Sequence, residues 1–537
     1  MTQRMLRARL LAAGALWLFT NACMSVPLST PTTTTAQDTP IHVSANQQNK
    51  VDILFMVDNS SSMEAMQEQL VTRFGQFLQV FSNLAHPTDG STPQYADLHI
   101  GVVTSDYGAG TVSSGNCQAT PGGQRGVLQA TAAKNTSLFG CAGPTSGLFI
   151  QYQFNAGSTD VCNLPGGKCD APTLNTTFTC MASVGAAGCG FEHQLESVFA
   201  ALRDTTDNAG FLRDEALLAV VFVTNEDDGS APPGSTFYNS DADPSIAGAY
   251  DTYRQTHFGV ACGSPPALAP ETASNGMLTC EPAPAPLGQE YDVQRYIDFF
   301  KKPISAGGLK SDPSNIILVG LDAPDSDTET IMVKPETGCG AVSTNPAAPC
   351  LSATYQTCAA GESGCIVRLE HSCQNTADPA FFGDPALRIN SVIRAINPPP
   401  APEKPAVFSI CGDDQSVEPD YTSTLTAVAQ RIVSQLKPPC IPAPLTSYTA
   451  PDCVVEDVTT VGNVEQPTQF RRCDTVNNVP PCYSVIEDAA DCACVQGSDG
   501  AQHHPSISIQ RTGPVPPNTA VRVSCATEAL VNTMCGG

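Results

Sequence analysis

Residues 51–63 read Val-Asp-Ile-Leu-Phe-Met-Val-Asp-Asn-Ser-Ser-Ser-Met. The first seven are almost continuously apolar, as a strand buried on both faces of a parallel sheet must be. The next five are turn formers whose short polar side chains bond to nearby backbone and stop the strand. Met66, Leu70, Phe74, Phe77 and Phe81 then recur at helical spacing, giving one apolar stripe that packs back on the sheet. A buried strand, a tight polar turn and an amphipathic helix make one βα unit.

The same alternation continues outward. Apolar runs at 98–104 (LHIGVVT), 216–224 (ALLAVVFVT), 316–321 (IILVGL) and 406–410 (AVFSI) have the length of buried strands. Helical stripes lie between them: Phe191, Leu195, Val198, Phe199 and Leu202, then Val293, Tyr296, Ile297 and Phe300. Asp384-Pro385 reads as an N-cap and first-turn pair opening a helix through Ile389, Val392, Ile393 and Ile396, and Leu425, Val428, Ile432 and Leu436 mark a last helix before Pro438-Pro439. The expected fold class is α/β, a doubly wound, mostly parallel sheet over residues 49–437. Connections at 105–188, 230–286 and 322–383 are too long for bare loops and predict disulfide-pinned insertions with short hairpins. From 440 to 537 the helical periodicity gives way to Pro-rich segments and short β-prone runs, which predicts a small Cys-rich β module.

Export is written at the start of the chain. Arg4, Arg7 and Arg9 precede an apolar run from Leu10 to Phe19, too short to span a bilayer, so residues 1–23 read as a signal peptide. Cys23 follows Ala22 as the lipid-accepting Cys of a bacterial lipoprotein would; Thr20 stands where such motifs usually carry Leu, so ordinary cleavage stays open. Lipidation at Cys23 would give the chain a membrane anchor on the outer membrane or cell surface, and cleavage a periplasmic or secreted protein. Residues 24–48, rich in Ser, Thr, Pro and Gln, read as a flexible tether. Setting Cys23 aside, 22 of the 23 cysteines remain, fourteen within 117–411 and eight within 440–535. Both numbers are even, so each region can close its own bridges in an oxidising compartment.

Composition excludes some partners. With 26 Lys and Arg against 52 Asp and Glu, the formal charge is -26, which opposes the clustered cations that phosphate backbones require, so nucleic acid is not an expected partner. The chain also lacks a Gly-x-Ser-x-Gly elbow, a His-Glu-x-x-His pair and a Gly-x-x-x-x-Gly-Lys loop. A non-enzymatic protein is therefore expected, with an exported hydrolase of unfamiliar site as a rival.

One motif carries chemistry. Asp58, Ser60 and Ser62 alternate along the turn at the carboxyl end of the first strand, the edge where open α/β sheets bind ligands. One carboxylate and two hydroxyls there suit a hard divalent cation, Mg²⁺ or Ca²⁺. The plainer reading is that the serines only cap the following helix. At the end of the strand 216–224 stand Asn225, Glu226, Asp227 and Asp228, either a solvated acidic loop or the other half of the site; Asn225, Glu226 and Asp227 are the candidate ligands. Asp106 is a weaker candidate for the surrounding shell.

VDILFMVDNSSSM, together with the strand and helix order over about 49–437, resembles the von Willebrand factor type A family. That family opens its metal-ion-dependent adhesion site with Asp-x-Ser-x-Ser, so the resemblance implies Asp58, Ser60 and Ser62 as ligand positions, and an adhesion-type protein of the cell envelope binding a protein or glycan at the cell surface. The family completes its site with a Thr on a later loop and an Asp after the fourth strand. Here the loop 184–190 (VGAAGCG) has no Thr, and the Asp position holds Asn225. A structural envelope protein that has lost the metal site is the corresponding alternative.

Overall fold

In the computed structural model the described residues are 37–44 and, with internal gaps, 50–528; outside them lie 1–36, 45–49, 86–95, 114–116, 118–122, 156–158, 215, 240–251, 265, 269–279, 326–329, 336–354, 358–365, 398–405, 435, 437–440, 442, 462–463, 474–479, 488–491, 493, 498–499, 511–518 and 529–537. The signal-peptide and Cys23 expectations fall outside the described residues.

The apolar runs form one sheet. In chain order its strands are β2 (Lys50–Val57), β3 (Asp97–Thr104), β4 (Ile150–Gln153), β5 (Val161–Cys162), β6 (Leu217–Val223), β7 (Ile316–Asp322) and β8 (Val407–Ser409), and they lie side by side as β8-β7-β6-β2-β3-β4-β5. The five from β8 to β3 are parallel; β4 and β5 add an antiparallel edge. The chain leaves β2 toward β3 and later returns on its other side with β6, so β2 sits where the winding reverses.

Alternation along β2 divides two cores. Val51, Ile53, Phe55 and Val57 face α1 (Glu64–Ala85), α2 (Ala171–Ala182) and α7 (Thr422–Ser434), whereas Leu54 and Met56 face α3 (Gln194–Arg203), α5 (Gln294–Lys301) and α6 (Leu387–Ile396). Phe55 packs edge-on against Phe74, Phe77 and Phe178, and burying one such ring stabilises the fold by about 2 kcal/mol. Helix α2 was not expected: it lies inside the long 105–188 connection, where Asp170 caps it and its Leu174 and Phe178 join the α1 core. A further helix, α4 (Thr252–Gly259), precedes a small three-stranded sheet built around Val260–Cys262.

Seven disulfides join described cysteines, Cys117–Cys189, Cys141–Cys180, Cys162–Cys169, Cys262–Cys280, Cys373–Cys411, Cys453–Cys525 and Cys473–Cys482. Each stays within its own half of the cysteine set. Bridges of this kind persist in oxidising compartments.

The later residues build a six-stranded sheet, β1 (Gln37–Ser44), β13 (Thr519–Thr527), β9 (Cys453–Val461), β10 (Val464–Arg472), β11 (Cys482–Glu487) and β12 (Pro505–Gln510), in that spatial order. Val455, Phe470, Tyr483, Ile507 and Val523 form its core. Residues 37–44, within the stretch expected to be a tether, pair antiparallel with β13 from Ala520 to Thr527. Backbone pairing needs no apolar pattern, so a Ser/Thr/Pro composition did not reveal it. Among the described residues no helix is long and apolar enough to cross a membrane.

Candidate functional site

The turn after β2 is fixed by the strand beside it. Asp58 N donates to Val223 O at 2.9 Å, which places the Asp58 side chain at the carboxyl ends of β2 and β6. Its carboxylate is fully buried. Oδ1 accepts from Ser60 N at 2.8 Å and from Ser105 Oγ at 2.9 Å, and Oδ2 accepts from Thr224 Oγ1 at 2.8 Å. Burial pushes the Asp58 carboxyl up from its ordinary value, and the bonds from Ser60, Thr224 and Ser105 pull it back.

Ser60 is not a side-chain helix cap. The short 3-10 turn Ser61–Met63 begins after Ser60, yet Ser60 makes no side-chain capping bond. Its hydroxyl lies 3.1 Å from Ser62 Oγ, and Ser62 Oγ donates to Asn225 Oδ1 at 3.0 Å. Ser60 Oγ, Ser62 Oγ and Asn225 Oδ1 thus form a hydrogen-bonded row that reaches solvent at the half-buried Ser62. Asn225 is fully buried and its Nδ2 has no partner.

These spacings fit a cation. Neighbouring oxygens of an octahedral Mg²⁺ at about 2.1 Å are about 3.0 Å apart, while Ca²⁺ at about 2.4 Å spreads them to about 3.4 Å. The observed 3.1 and 3.0 Å are hydrogen-bond distances between these groups and also lie nearer the edge of the smaller ion's shell. Among the described residues no three His, Cys, Asp or Glu side chains gather as a metal cage; the donors here are hydroxyls and an amide with one carboxylate behind them.

The acidic run divides by role. Asp227 accepts from Arg388 N at 3.0 and 2.9 Å and from Ile389 N at 3.2 Å, so both oxygens hold the start of α6 rather than join the serines. Burial lifts its carboxyl to about 7 against the pull of those N–H groups. Asp227 thereby does what the sequence assigned to Asp384: the N-cap residue of α6 is Ala386 and makes no side-chain cap, while Asp384 pairs with His371 at 2.6 Å. Asp228 bonds Leu195 N and Ser230 Oγ and pairs with the buried Arg388, which also meets Glu290. Glu226 points elsewhere, toward Glu192 in the interior.

Several contributors had no sequence signal. Ser105 and Thr224 hold Asp58, and Gln67 Nε2 ties Asp58 O at 2.7 Å to Gly185 O at 2.9 Å. Gly188 N donates to Asn59 O at 2.8 Å, and a Cβ on Gly188 would lie 2.2 Å from Asn59 Oδ1, so only glycine lets this loop close over the turn. The loop 184–190 covers the site without offering it a hydroxyl. Asp106 is half-buried and accepts from the N–H groups of Gly108 and Cys189, which stitches two loops together beside the site. Glu192, 1% exposed, is the acid that pattern reading missed; it sits one residue ahead of His193, whose N–H donates to Ser105 O at 2.9 Å.

No family model matches the chain, and no curated protein matches it. Among solved structures it is similar to the pilus adhesin RrgA from Streptococcus pneumoniae, at 10% identity and a TM-score of 0.23 over 91% of this chain, and it spans 58% of that adhesin's length. It is also similar to the adhesive tip pilin GBS104 from Group B Streptococcus agalactiae, at 10% identity and a TM-score of 0.25, covering 93% of this chain and 82% of the pilin. Likeness at these scores establishes neither a shared fold nor a shared activity.

Proposed function

We propose that the rim of the parallel sheet holds a divalent cation between Ser60, Ser62 and Asn225, and that the protein uses it to bind an acidic group of a protein or glycan outside the cell. The observation that carries this reading is the pair of serine hydroxyls: Ser60 caps nothing and lies 3.1 Å from Ser62, and Ser62 meets the Asn225 oxygen at 3.0 Å, both near the edge spacing of an octahedral ion. Asp58 supplies negative charge from beneath, already oriented by three donors. When bound, the cation supplies a positive centre able to accept a carboxylate oxygen. Ser62 is the only one of these donors with appreciable exposure, so an incoming group meets the site from its side.

On this reading residues 49–437 are a von Willebrand factor type A-like binding unit whose adhesion site is weakened: Asn225 is neutral where the family carries Asp, and the loop over the turn lacks Thr. Residues 440–537 are an accessory module, and Cys23 carries the lipid anchor.

The test is thermal unfolding of chelator-treated protein with Mg²⁺, Mn²⁺ or Ca²⁺ restored. An ion at a hundred times its Kd stabilises the folded state by about 2.7 kcal/mol, so the melting temperature rises, and Ser62→Ala reduces the rise. If wild-type protein does not respond to any of the three ions, the fold serves as an envelope scaffold and the cation reading falls.

A further inference from the structure

Next to the serine turn stands an arginine that packing does not explain. Arg125 is exposed, and its φ of 54° makes it the one non-glycine residue with a left-handed backbone among the described residues. Side chains other than glycine are strained there, and such strain persists where the surrounding structure enforces it. Gln124 N and Arg125 N both donate to Asp106 O, at 3.0 and 3.1 Å, and Thr104 Oγ1 donates to Gln124 Oε1 at 3.0 Å. A Cβ would lie 2.4 Å from Asp106 Oδ1 at Gly123 and 2.7 Å from Ala201 N at Gly126, so the loop is pressed against its neighbours at both ends. Glycine serves at both of those positions, yet the strained one between them carries a long charged side chain.

The Arg125 guanidinium lies over the Tyr107 ring, 5.6 Å from its centroid. No carboxylate among the described residues pairs with it, although the chain has 52 acids to 26 bases. The Tyr107 hydroxyl likewise makes no hydrogen bond to a described residue. Ser105 and Asp106 are consecutive: Ser105 Oγ holds Asp58 Oδ1 at 2.9 Å, and Asp106 O holds the arginine loop. The serine turn and Arg125 therefore occupy the same rim, at the carboxyl ends of β2 and β3.

A guanidinium fixed on a ring with its N–H edges open is a fork for a carboxylate. The proposed cation accepts another, so a ligand that meets both carries carboxylates along its length. The formal charge of -26 repels such a ligand elsewhere, and the two positive grips act together. None of the exposed large apolar side chains among the described residues falls on the serine turn, on 104–108 or on 123–126. Protein partners are anchored by large apolar and aromatic side chains in a desolvated centre; open hydroxyls, an amide and a guanidinium suit a hydroxyl-rich sugar acid.

We propose that Arg125, on its Tyr107 platform, is a second carboxylate subsite beside the serine turn, and that the ligand spanning the two is a uronic-acid polysaccharide. This rests on the cation reading of Ser60, Ser62 and Asn225 and names its ligand.

The test is calorimetric titration of the full-length protein in MgCl2 with polygalacturonate, alginate and hyaluronate, with dextran as the neutral control and polyglutamate as the acidic-peptide probe. Wild-type protein binds at least one of the three uronates and not dextran. Arg125→Gly suits the left-handed backbone, so it keeps the wild-type fold, and it loses about tenfold or more in affinity, the worth of hydrogen bonds to a charged group. Arg125→Lys, which keeps the charge without the fork, recovers part of that loss. Ser62→Ala and chelator each weaken the same binding. Uronate binding that Arg125→Gly leaves unchanged overturns the inference, and the cation reading stands if Ser62→Ala or chelator still removes that binding. Binding lost in Arg125→Gly but indifferent to Ser62→Ala and chelator sustains the arginine subsite and overturns the cation reading. Polyglutamate bound as tightly as any uronate points to an acidic protein segment and overturns the choice of glycan. No uronate binding by wild type overturns the inference, while a melting shift with Mg²⁺ in the same samples keeps the cation reading.

Discussion

Asp227→Ala separates the acid that builds the fold from the oxygens proposed to face a cation. The Asp227 carboxylate accepts from two backbone N–H groups at the start of α6, at 3.0, 2.9 and 3.2 Å, and the residue is 4% exposed. Truncation leaves the N–H groups of Arg388 and Ile389 buried without acceptors, at about 1–3 kcal/mol each. Removing a carboxyl that burial holds at about 7 returns part of that. The net loss is about 3 kcal/mol, above the roughly 2 kcal/mol of a strong N-cap because two buried N–H groups lose their acceptor, and it lowers the melting temperature by about 5 °C for a unit of this size. Differential scanning calorimetry with disulfides intact reads the shift, and the same samples titrated with Mg²⁺ keep the wild-type cation response. A melting temperature unchanged from wild type, or a lost cation response, would refute the division of the 225–228 run into a ligand and a cap.

Two further outcomes follow from buried groups near the turn. Burial and the nearby Asp58 hold Glu192 at about 8, far above its ordinary value; its protonated form favours the fold, so that contribution is complete below about pH 4.5 and is lost as pH rises through about 8. Wild-type stability relative to Glu192→Gln therefore falls between pH 5 and 8.5, and a difference that rises or stays flat contradicts a Glu192 carboxyl held protonated by burial. Gly188→Ala forces its new methyl against Asn59 Oδ1, destabilising the chain by about 1–2 kcal/mol in urea melts and weakening the Mg²⁺ response; a silent variant shows that the 184–190 loop does not hold the turn.

The central strands were legible because burial on both faces leaves a continuous apolar signature. The runs at 51–57, 98–104, 216–224, 316–321 and 406–410 match β2, β3, β6, β7 and β8 to within a residue or so. Edge strands β4 and β5 carry no such run, and β1 pairs with a segment more than four hundred residues away whose pattern says nothing of its partner. That Asp58, Ser60 and Ser62 lie in a turn directly after a buried strand was legible, because the apolar run stops at Val57. Which member of Asn225, Glu226 and Asp227 faces the serines was not, since consecutive residues point in different directions once a loop bends: one meets Ser62, one turns inward to Glu192, one caps α6. Asp384-Pro385 had the right chemistry for a cap, yet an acid from another loop took the position. Glu192 lay hidden in an apolar stripe, where the sole signal was a charged residue between core neighbours Phe191 and His193.

Anomalous diffraction from crystals grown with Mn²⁺ tests the cation site most directly. A peak about 2.2 Å from Ser60 Oγ, Ser62 Oγ and Asn225 Oδ1 is the predicted result. A map with no peak at that rim, in protein whose Ser62 and Asn225 side chains remain in contact, would contradict it.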